Sequence, residues 1–423
     1  MRITDPTMRV LLLNDRIPPE NRGGAGEVFW RLALGLRSAG HEVHVIAATD
    51  RPSFNDVRAG IQTYHLHSSY PLRWRAWLSL YNPQTVRDLR RLYQQIQPDV
   101  VHAHNVHTDL SYHSLTIADT LGIPTVFTSH DVMLFAYHKM SYFIEPTRCD
   151  HDARAYRLPP LFNLRQMRLR YNPLRNLTIR RILRRHTRVR TAPSQALCDA
   201  HHANDLPPFV PVPNGIDVDA WQVAGATVAE LRQRLGLEGR KVILFAGRLT
   251  DAKGTYQLLD ALDRVRHSVP DVTLLVLSSR PIEDQIRDPR YTALRDTHIM
   301  TGGWLSGDEL AAAYHLARVV AVPSIIFDTF PTVNLEAMAT ATPVLASCYG
   351  GSREAVVDGE TGYIINPFDT EELTATLIRL LRDDDLCQQM GYAGYVRVTT
   401  HFTLAQHVQR MLDIYQQAQA HMP

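Results

Sequence analysis

The sequence lacks any apolar run long enough to cross a membrane. Its longest apolar stretches, such as residues 241–246 and 272–277, fall far short of the roughly 18 to 20 residues that a spanning helix needs. The chain starts with the polar MRITDPTMRV, and the LLL that follows is too brief for the core of a signal peptide. These absences predict a cytoplasmic protein.

Cysteine is also scarce, with four residues in a chain of 423. They are Cys149, Cys198, Cys348 and Cys387, widely separated and without a CxxC spacing. This distribution suggests neither a zinc site nor a disulfide framework. We therefore expect four reduced thiols.

Acidic side chains are missing from residues 153–198, although the whole chain has a formal charge of only +2. Leucine, isoleucine and aromatic residues alternate with arginine there, partly at helical spacing. Such a basic amphipathic segment suits a membrane surface or an anionic acceptor; no nucleic-acid module accompanies it, and a solvated basic face is the alternative. The arginines are Arg154, Arg157, Arg165, Arg168, Arg170, Arg175, Arg180, Arg181, Arg184, Arg185, Arg188 and Arg190.

What is present is the composition of a globular protein, with 45% hydrophobic and 21% charged residues. A chain of this length favours two domains. Short apolar strands alternate with helical stretches such as 83–96, which predicts parallel α/β sheets. Strands are expected at 9–14, 62–67, 100–104 and 124–129 in the first half, and at 241–247, 272–278, 298–302, 319–323, 343–347 and 363–366 in the second. The proline-rich LPPFVPVPNGID between the halves is typical of a linker.

Residues 322–347 form the most informative stretch, because a strand, a polar loop, a helix and a second strand follow one another. Asp328 lies in the loop and Glu336 in the helix, which opens near Thr332. Ligands of parallel sheets bind beyond the carboxyl ends of the strands, and the first N–H groups of a helix attract anions. A loop or capping role for Asp328 and a solvated position for Glu336 are the alternatives.

Three other strand ends carry candidate site residues. Gly23 and Gly24 precede a helix after the first strand, and would let the backbone approach a ligand. TSHD ends a later strand and includes His130. In the second half, Arg248 and Lys253 follow a strand in GRLTDAKG, where both cations can converge on a diphosphate.

These motifs resemble the retaining glycosyltransferases of the large family four. That family carries a glutamate, seven residues and a second glutamate; here Asp328 and Glu336 keep the spacing with one shorter carboxylate. The resemblance implies an α/β GT-B fold, with two Rossmann-like domains facing each other across a cleft. The expected divisions are 8–209 for the acceptor side, 210–402 for nucleotide-sugar binding, and a helix in 403–423 that crosses back.

The resemblance also implies roles for individual residues. Arg248 and Lys253 would bind the diphosphate, Glu336 the ribose, and His130 with Asp328 the donor sugar. The shorter Asp328 leaves the identity of that sugar open. The remaining donor-binding residues would be Gly23, Gly24, Asn214, Gly215, Thr332 and Val333.

The predicted activity is therefore metal-independent, retaining transfer of a hexose from a nucleoside diphosphate sugar, with UDP or GDP as the nucleotide. The acceptor would be a glycan or a lipid-linked molecule of cell-envelope polysaccharide synthesis, and the arginine-rich segment could contact anionic membrane. No cofactor and no nucleic acid are expected. The alternatives are a GT-B sugar-nucleotide 2-epimerase and a non-catalytic nucleotide-sugar-binding protein.

Overall fold

The computed structural model describes residues 7–20, 23–137, 140–149 and 153–420. The chain divides into two compact units. Unit 1 comprises the described parts of 1–139, 152–215 and 404–423, and unit 2 those of 140–151 and 216–403. Each unit is built on a sheet of its own.

The described part of unit 1 contains an eight-stranded sheet in the order β3-β4-β2-β1-β5-β6-β7-β8. Neighbouring strands are parallel except β3 and β4, which are antiparallel. The strands are β1 (Arg9–Asn14), β2 (Glu42–Thr49), β3 (Phe54–Arg58), β4 (Ile61–His67), β5 (Val100–Ala103), β6 (Thr125–Thr128), β7 (Val189–Ala192) and β8 (Val210–Pro211).

Helices cover this sheet and form one core with it. The helices are α1 (Gly24–Ser38), α2 (Arg75–Leu78), α3 (Pro83–Ile96), α4 (His113–Thr120), α5 (Phe162–Met167), α6 (Arg175–His186), α7 (Gln195–Ala203) and, from the end of the chain, α17 (Leu404–Ala420). Phe29 of α1 and Tyr415 of α17 are buried in the same cluster as Leu12 of β1. A Cβ on Gly35 would lie 2.5 Å from the side chain of Val408, so this glycine allows α17 to pack closely on α1.

The described part of unit 2 contains a six-stranded, all-parallel sheet in the order β11-β10-β9-β12-β13-β14. Its strands are β9 (Lys241–Ala246), β10 (Val272–Leu277), β11 (Ile299–Thr301), β12 (Val319–Val322), β13 (Val344–Ser347) and β14 (Gly362–Ile365). Its helices are α8 (Gly225–Arg234), α9 (Thr255–Ser268), α10 (Ile282–Gln285), α11 (Thr292–His298), α12 (Gly307–Leu316), α13 (Thr332–Ala339), α14 (Ser352–Ala355), α15 (Thr370–Arg382) and α16 (Asp384–His401).

The sheets confirm the predicted parallel α/β architecture, and the expected strands end within about a residue of the observed ones. Their interiors are continuous buried runs, such as the fully buried VTLLVL of β10, as expected of strands covered on both faces. The antiparallel β3 was not predicted. It alternates between half-buried and exposed positions, so it lacks the apolar run on which the strand predictions rest. The two-residue β8 was not predicted either, because it lies in the proline-rich segment that was interpreted as a linker.

The expectation of four reduced thiols is wrong for one pair. Cys149 and Cys348 form a disulfide although 199 residues separate them in sequence, while Cys198 and Cys387 are free and buried. Residues 140–149 pack within unit 2: the Phe327 N–H donates to the Met140 carbonyl over 2.9 Å. This packing places Cys149 beside Cys348, just after β13, and sequence spacing gives no sign of it.

Candidate functional site

The two central strands of unit 2 create the point at which a ligand is expected. β9 has β10 on one side and β12 on the other, so the connections leaving β9 and β12 run to opposite sides of the sheet. Parallel sheets bind ligands at such switch points, beyond the carboxyl ends of the strands. The loop with Lys253 follows β9, and the loop with Asp328 follows β12.

A glycine brings these two loops into contact. Residues 251–253 form a short turn, and Gly254 then opens α9 with a φ of +73°. A Cβ at this position would lie 1.9 Å from the Pro323 carbonyl oxygen, so only glycine fits without a backbone shift. The Ile325 N–H also donates to the Ala252 carbonyl over 3.1 Å.

Lys253 and Asp328 form an ion pair as a result. The Lys253 Nζ lies 2.5 Å from Asp328 Oδ2, and the Ser324 hydroxyl donates to the same oxygen over 3.0 Å. The Asp328 side chain is 18% exposed and that of Lys253 39%, so both remain partly open to solvent. The structure thus joins two of the predicted site residues, which are 75 positions apart in the chain.

The backbone of Asp328 is held from its other side by the turn after β13. Asp328 pairs with Gly350 in an isolated β-bridge, and its carbonyl accepts the Gly351 N–H over 2.8 Å. Gly350 has a φ of +85°, and a Cβ there would lie 2.2 Å from the Asp328 carbonyl oxygen. The paired glycines therefore position the Asp328 loop.

Helix α13 places Glu336 near the same strand end. The hydroxyl of Tyr314, a fully buried residue of α12, donates to Glu336 Oε2 over 2.6 Å. Thr332 and Val333 are the first two residues of α13, and Pro331 before them provides no side-chain cap. Their N–H groups belong to the first turn, which lacks partners inside the helix.

Arg248, the remaining predicted cation, is exposed. It lies in the loop between the end of β9 and the Lys253 turn, just after Gly247. The structure thus places it on the same loop as Lys253, at the carboxyl edge of the sheet.

In unit 1, the predicted glycines open α1 beyond β1. Gly23 is the residue before α1 and Gly24 is its first residue. Both are exposed, and the Gly23 carbonyl accepts the first-turn N–H groups of Gly26 and Glu27 over 2.9 and 3.2 Å. At the end of the same unit, Asn214 and Gly215 are buried beside Pro213, whose carbonyl lies 2.8 Å from His407 Nδ1.

His130 belongs to a buried histidine cluster beyond β6. Its Nε2 lies 2.7 Å from His104 Nδ1, and the two rings stack with centroids 5.0 Å apart. Burial lowers the pKa of His130 to about 4, although the nearby Asp131 opposes this shift. His130 is therefore neutral at pH 7, where it can donate or accept a hydrogen bond without carrying charge.

The family comparisons divide the chain in the same way as its sheets. The family described as Glycosyltransferase Family 4 matches residues 22–220, and the one described as Glycosyl transferases group 1 matches residues 227–397. The chain belongs to the GT-B glycosyltransferases of family four. The predicted GT-B fold class, with two parallel-sheet α/β domains, is thus confirmed.

Individual relatives of this glycosyltransferase differ in what they are named for. Glycogen synthase of Mycobacterium tuberculosis is 26% identical over 422 residues, covering 93% of this chain and 91% of that protein. A GDP-mannose-dependent phosphatidylinositol monomannoside mannosyltransferase of Mycolicibacterium smegmatis is 30% identical over 189 residues, covering 43% and 50%. HepE of Anabaena, solved with UDP and glucose, matches with a TM-score of 0.70 at 18% identity over 97% and 99% of the two chains, which shows the fold.

Several residues that shape the site of this glycosyltransferase were not found from its sequence. Ser324 and Tyr314 act through hydrogen bonds to Asp328 and Glu336, and isolated serine and tyrosine residues carry no pattern. A stronger signal was available for Asp15, an acid directly after the buried β1. Its carboxylate accepts the N–H groups of Thr108, Asp109 and Leu110 over 2.7, 2.9 and 2.8 Å.

Asp15 lies at a polar cavity of unit 1. Burial, with Asp109 nearby, raises its pKa to about 7 despite those three backbone hydrogen bonds. The cavity has a volume of about 250 Å³ and lies beyond the ends of β1 and β5; its lining consists of Asn14, Asp15, Arg16, Glu20, Asn105, His107 and Thr108. Carboxylate, amide and imidazole groups of this kind can bind hydroxyl groups.

Among the residues that the structure describes, no helix combines the length and the apolar character needed to cross a bilayer.

Proposed function

We propose that this glycosyltransferase is a retaining, metal-independent hexosyltransferase. It would move a sugar from a UDP-sugar or GDP-sugar to a glycan or lipid-linked acceptor in cell-envelope polysaccharide synthesis. The observation that carries the proposal is the grouping at the switch point of unit 2, where the Lys253–Asp328 pair adjoins the helix that bears Glu336. One cation, one carboxylate and uncapped helix N–H groups suit a phosphorylated, hydroxyl-rich donor.

The cations and the start of α13 are proposed to stabilise the departing diphosphate. Negative charge develops on the leaving group as its bond to the sugar breaks. Lys253, Arg248 and the first N–H groups of α13, at Thr332 and Val333, offer positive charge on elements that are already ordered. Preorganised donors often make the largest single contribution to catalysis, and removing one commonly costs roughly 100 to 1000-fold in rate.

The carboxylates and His130 are proposed to bind hydroxyl groups. Glu336 would accept hydrogen bonds from the ribose, with the orientation of its carboxylate set by Tyr314. Asp328 would bind donor-sugar hydroxyls through the oxygen that is not shared by Lys253 and Ser324. A neutral His130 suits the same substrate, since a charged imidazolium could only donate.

Retention is proposed to occur by attack on the same face of the sugar, with the leaving phosphate taking the acceptor proton. The proposal therefore names no protein residue as general base or nucleophile. Proton NMR of the first product formed should show the anomeric configuration of the donor. Turnover should also persist in EDTA. A product of inverted configuration would refute retention, and complete loss of turnover in EDTA would refute metal independence.

The relatives support the choice of donors and acceptors for testing. One solved relative is a complex with UDP and glucose, and the name of another specifies GDP-mannose and a phosphatidylinositol-based acceptor. UDP-glucose and GDP-mannose are therefore the first donors to try, with polyglucans and lipid-linked sugars as acceptors.

Calorimetric titration with UDP, GDP, ADP and dTDP tests the donor site directly. We expect one nucleotide to bind, and Lys253→Ala and Glu336→Ala to weaken it by at least about ten-fold, equivalent to ~1.4 kcal/mol. Lys241→Ala is the matched control, since it removes the same charge from the opposite end of β9. Absence of binding by all four nucleotides would refute the proposal.

The same preparation separates the proposal from its two alternatives. A 2-epimerase would convert the donor sugar without any acceptor, and a binding protein would hold the nucleotide without turnover. Asp328→Ala should abolish transfer if Asp328 binds the sugar. Near-normal turnover of that variant would remove its assigned role.

We also propose a cytoplasmic location with peripheral contact to anionic membrane through residues 153–198. The support is the absence of acidic residues from this segment together with its twelve arginines. A lipid-linked acceptor would then be met at the membrane surface.

A further inference from the structure

A second segment of unit 1, not used by the donor site, exposes large aromatic side chains. It has the sequence LRWRAWLSLY, residues 72–81, and includes α2. Its exposed members include Leu72, Trp74 and Trp77, with exposed fractions of 71%, 50% and 46%. Residues 57–87 around it contain arginine but neither aspartate nor glutamate. Indole rings that are half exposed beside arginine are typical of an interaction surface rather than of a core.

The arginine-rich segment exposes leucine in a comparable way. Leu169 is 98% exposed, and Leu174 and Leu177 are 63% and 62% exposed. The segment is not uniformly available to a partner, however. The Arg175 side chain is fully buried and donates to the Met133 carbonyl over 2.8 Å, and Arg180 pairs with Asp205 at 3.3 Å. The exposed arginines include Arg165, Arg168, Arg170, Arg181 and Arg185.

Tyr137 brings the two segments together. The guanidinium carbon of Arg75 lies 5.8 Å from the centroid of the Tyr137 ring, and that of Arg175 lies 5.1 Å from it. Trp74 immediately precedes Arg75, and Leu174 immediately precedes Arg175. One arginine of each segment, next in sequence to an exposed apolar side chain, therefore approaches the same tyrosine ring of unit 1.

Helix α6 adds a concave cationic site to this surface. A cavity of about 270 Å³ is lined by Leu177 and by Arg180, Arg181, Arg184 and Arg185. Arginine forks match the geometry of phosphate oxygens, and Leu177 adds an apolar wall. The combination fits a phosphate that is attached to an apolar chain better than a free soluble anion.

We propose that these two segments form a docking surface for an anionic lipid bilayer, here called the Trp–Arg surface. It consists of Leu72, Trp74, Trp77, Leu169, Leu174, Leu177, Arg181 and Arg185. Tryptophan and leucine enter the headgroup region, where indole rings are favoured, while the arginines bind lipid phosphates. This inference deepens the proposed membrane contact by adding the tryptophan segment and by naming the residues that insert.

Vesicle co-sedimentation of the full chain tests the Trp–Arg surface. We expect binding to vesicles of phosphatidylglycerol and phosphatidylcholine, little binding to phosphatidylcholine alone, and weakening by salt. The double variant Trp74→Ser/Trp77→Ser should lose binding by at least about ten-fold, and so should Arg181→Gln/Arg185→Gln. The control is Tyr392→Ser/Val396→Ser, which removes exposed apolar side chains from unit 2 and should bind like the parent.

Tryptophan fluorescence provides a second, independent measurement. Emission of the parent protein should shift to shorter wavelength on anionic vesicles and be quenched by brominated lipid, and Trp74→Ser/Trp77→Ser should lose both effects. Loss of binding with the arginine variant but not with the tryptophan variant would refute insertion. The proposal would be overturned if every variant bound anionic vesicles as well as the parent does, or if the parent bound neutral vesicles equally well. It would also be overturned if the protein bound a soluble anionic glycan and anionic vesicles did not displace that glycan.

The outcome is separable from that of the donor site. The tryptophan variant should keep the nucleotide affinity and melting temperature of the parent, because residues 72–81 belong to unit 1 and the donor-site cations to unit 2. Vesicle binding without nucleotide binding would refute the proposed transferase chemistry and leave the docking surface standing.

Discussion

At the scale of single residues, the least expected feature is that the two most informative side chains neutralise each other. Lys253 was predicted to bind the diphosphate and Asp328 the sugar, yet their charged atoms lie 2.5 Å apart. The two roles are compatible because an ammonium group has three donors and a carboxylate two acceptor oxygens. A donor with phosphate next to the sugar could therefore contact both partners without separating them.

Tyr314 provides a residue-scale prediction. Tyr314→Phe removes the donor to Glu336 Oε2 and keeps the buried ring, so the carboxylate loses its orientation. A hydrogen bond to a charged group contributes about 1.5–3 kcal/mol, and we expect nucleotide affinity to fall by roughly ten-fold. Isothermal titration calorimetry measures the change.

Unit 2 offers a matched control for this substitution. Tyr291→Phe removes a hydroxyl that likewise donates to a carboxylate, Asp260, over 2.5 Å. It should leave nucleotide affinity unchanged. Equal affinities for parent and Tyr314→Phe would mean that Glu336 does not need this support.

At the scale of secondary-structure elements, close backbone contact decides where the loops lie. The Lys253 turn contacts the end of β12 because Gly254 has no Cβ, and the Asp328 loop contacts the turn after β13 because Gly350 has none. Each glycine holds a positive φ, which other residues rarely adopt. The site is thus positioned by backbone as well as by side chains.

Substitution of Gly254 tests this positioning. Gly254→Ala should cost the ~1–2 kcal/mol of a left-handed alanine and a further amount for the contact with Pro323, whose oxygen would lie 1.9 Å away. Because the turn must shift, we expect both the melting temperature and the nucleotide affinity to fall.

Gly236→Ala separates the two effects. Gly236 also has a positive φ, of +60°, but no described atom lies within 4 Å of its Cβ position. Its variant should show the conformational penalty alone, with nucleotide affinity unchanged. Similar behaviour of both variants would argue that the Gly254 contact does not position Lys253.

The disulfide gives a second prediction at this scale. It ties residues 140–149 to the end of β13, and a dithiol reductant converts it into two thiols. Reduction should lower stability by about 2–5 kcal/mol, because the link closes a long loop in the unfolded chain. Differential scanning calorimetry with and without reductant measures this loss.

Two cysteine variants serve as controls. Cys149→Ser should melt at the temperature of the reduced parent and no longer respond to reductant. Cys198→Ser, which changes a buried free thiol, should keep the full response. A parent that melts identically in both conditions would refute a stabilising link.

At the scale of the whole molecule, the buried histidines that make stability depend on acid pH lie in unit 1. Burial lowers the pKa of His130 and His407 to about 4 and that of His201 to about 3, and it holds the pKa of His102 and His104 well below the usual value. In the unfolded chain these histidines become protonated near pH 6.5, whereas in folded unit 1 they stay neutral to a lower pH. The stability that this provides is therefore present above about pH 6.5 and declines as pH falls toward 4.

We accordingly expect the melting temperature of unit 1 to fall between pH 7 and pH 5, as followed by scanning calorimetry. Asp15 opposes this trend: its pKa, raised to about 7, means that the folded state binds a proton more readily than the unfolded state. Asp15→Asn should therefore make the melting temperature fall more steeply as the pH is lowered. A flat profile in the parent, or a shallower one in the variant, would contradict the linkage.

The sequence by itself determined the local structure and the family. Helix α3 is an example, since it was predicted at 83–96 and its Asn82 cap and opening proline lie at the start of that segment. The same holds for the buried strands and for the signature around Asp328 and Glu336. These features depend on neighbours in the chain, whose periodicity and capping can be read directly.

Only the tertiary structure decided which distant residues meet. It joined Cys149 to Cys348 and Lys253 to Asp328, oriented Glu336 through Tyr314, and separated buried arginines such as Arg175 from exposed ones such as Arg181. It also brought Arg75, the neighbour of the exposed Trp74, and Arg175 of the arginine-rich segment to the same Tyr137 ring. The physical reason is that these contacts arise from strand order and close backbone packing, which bring together residues that no local pattern relates.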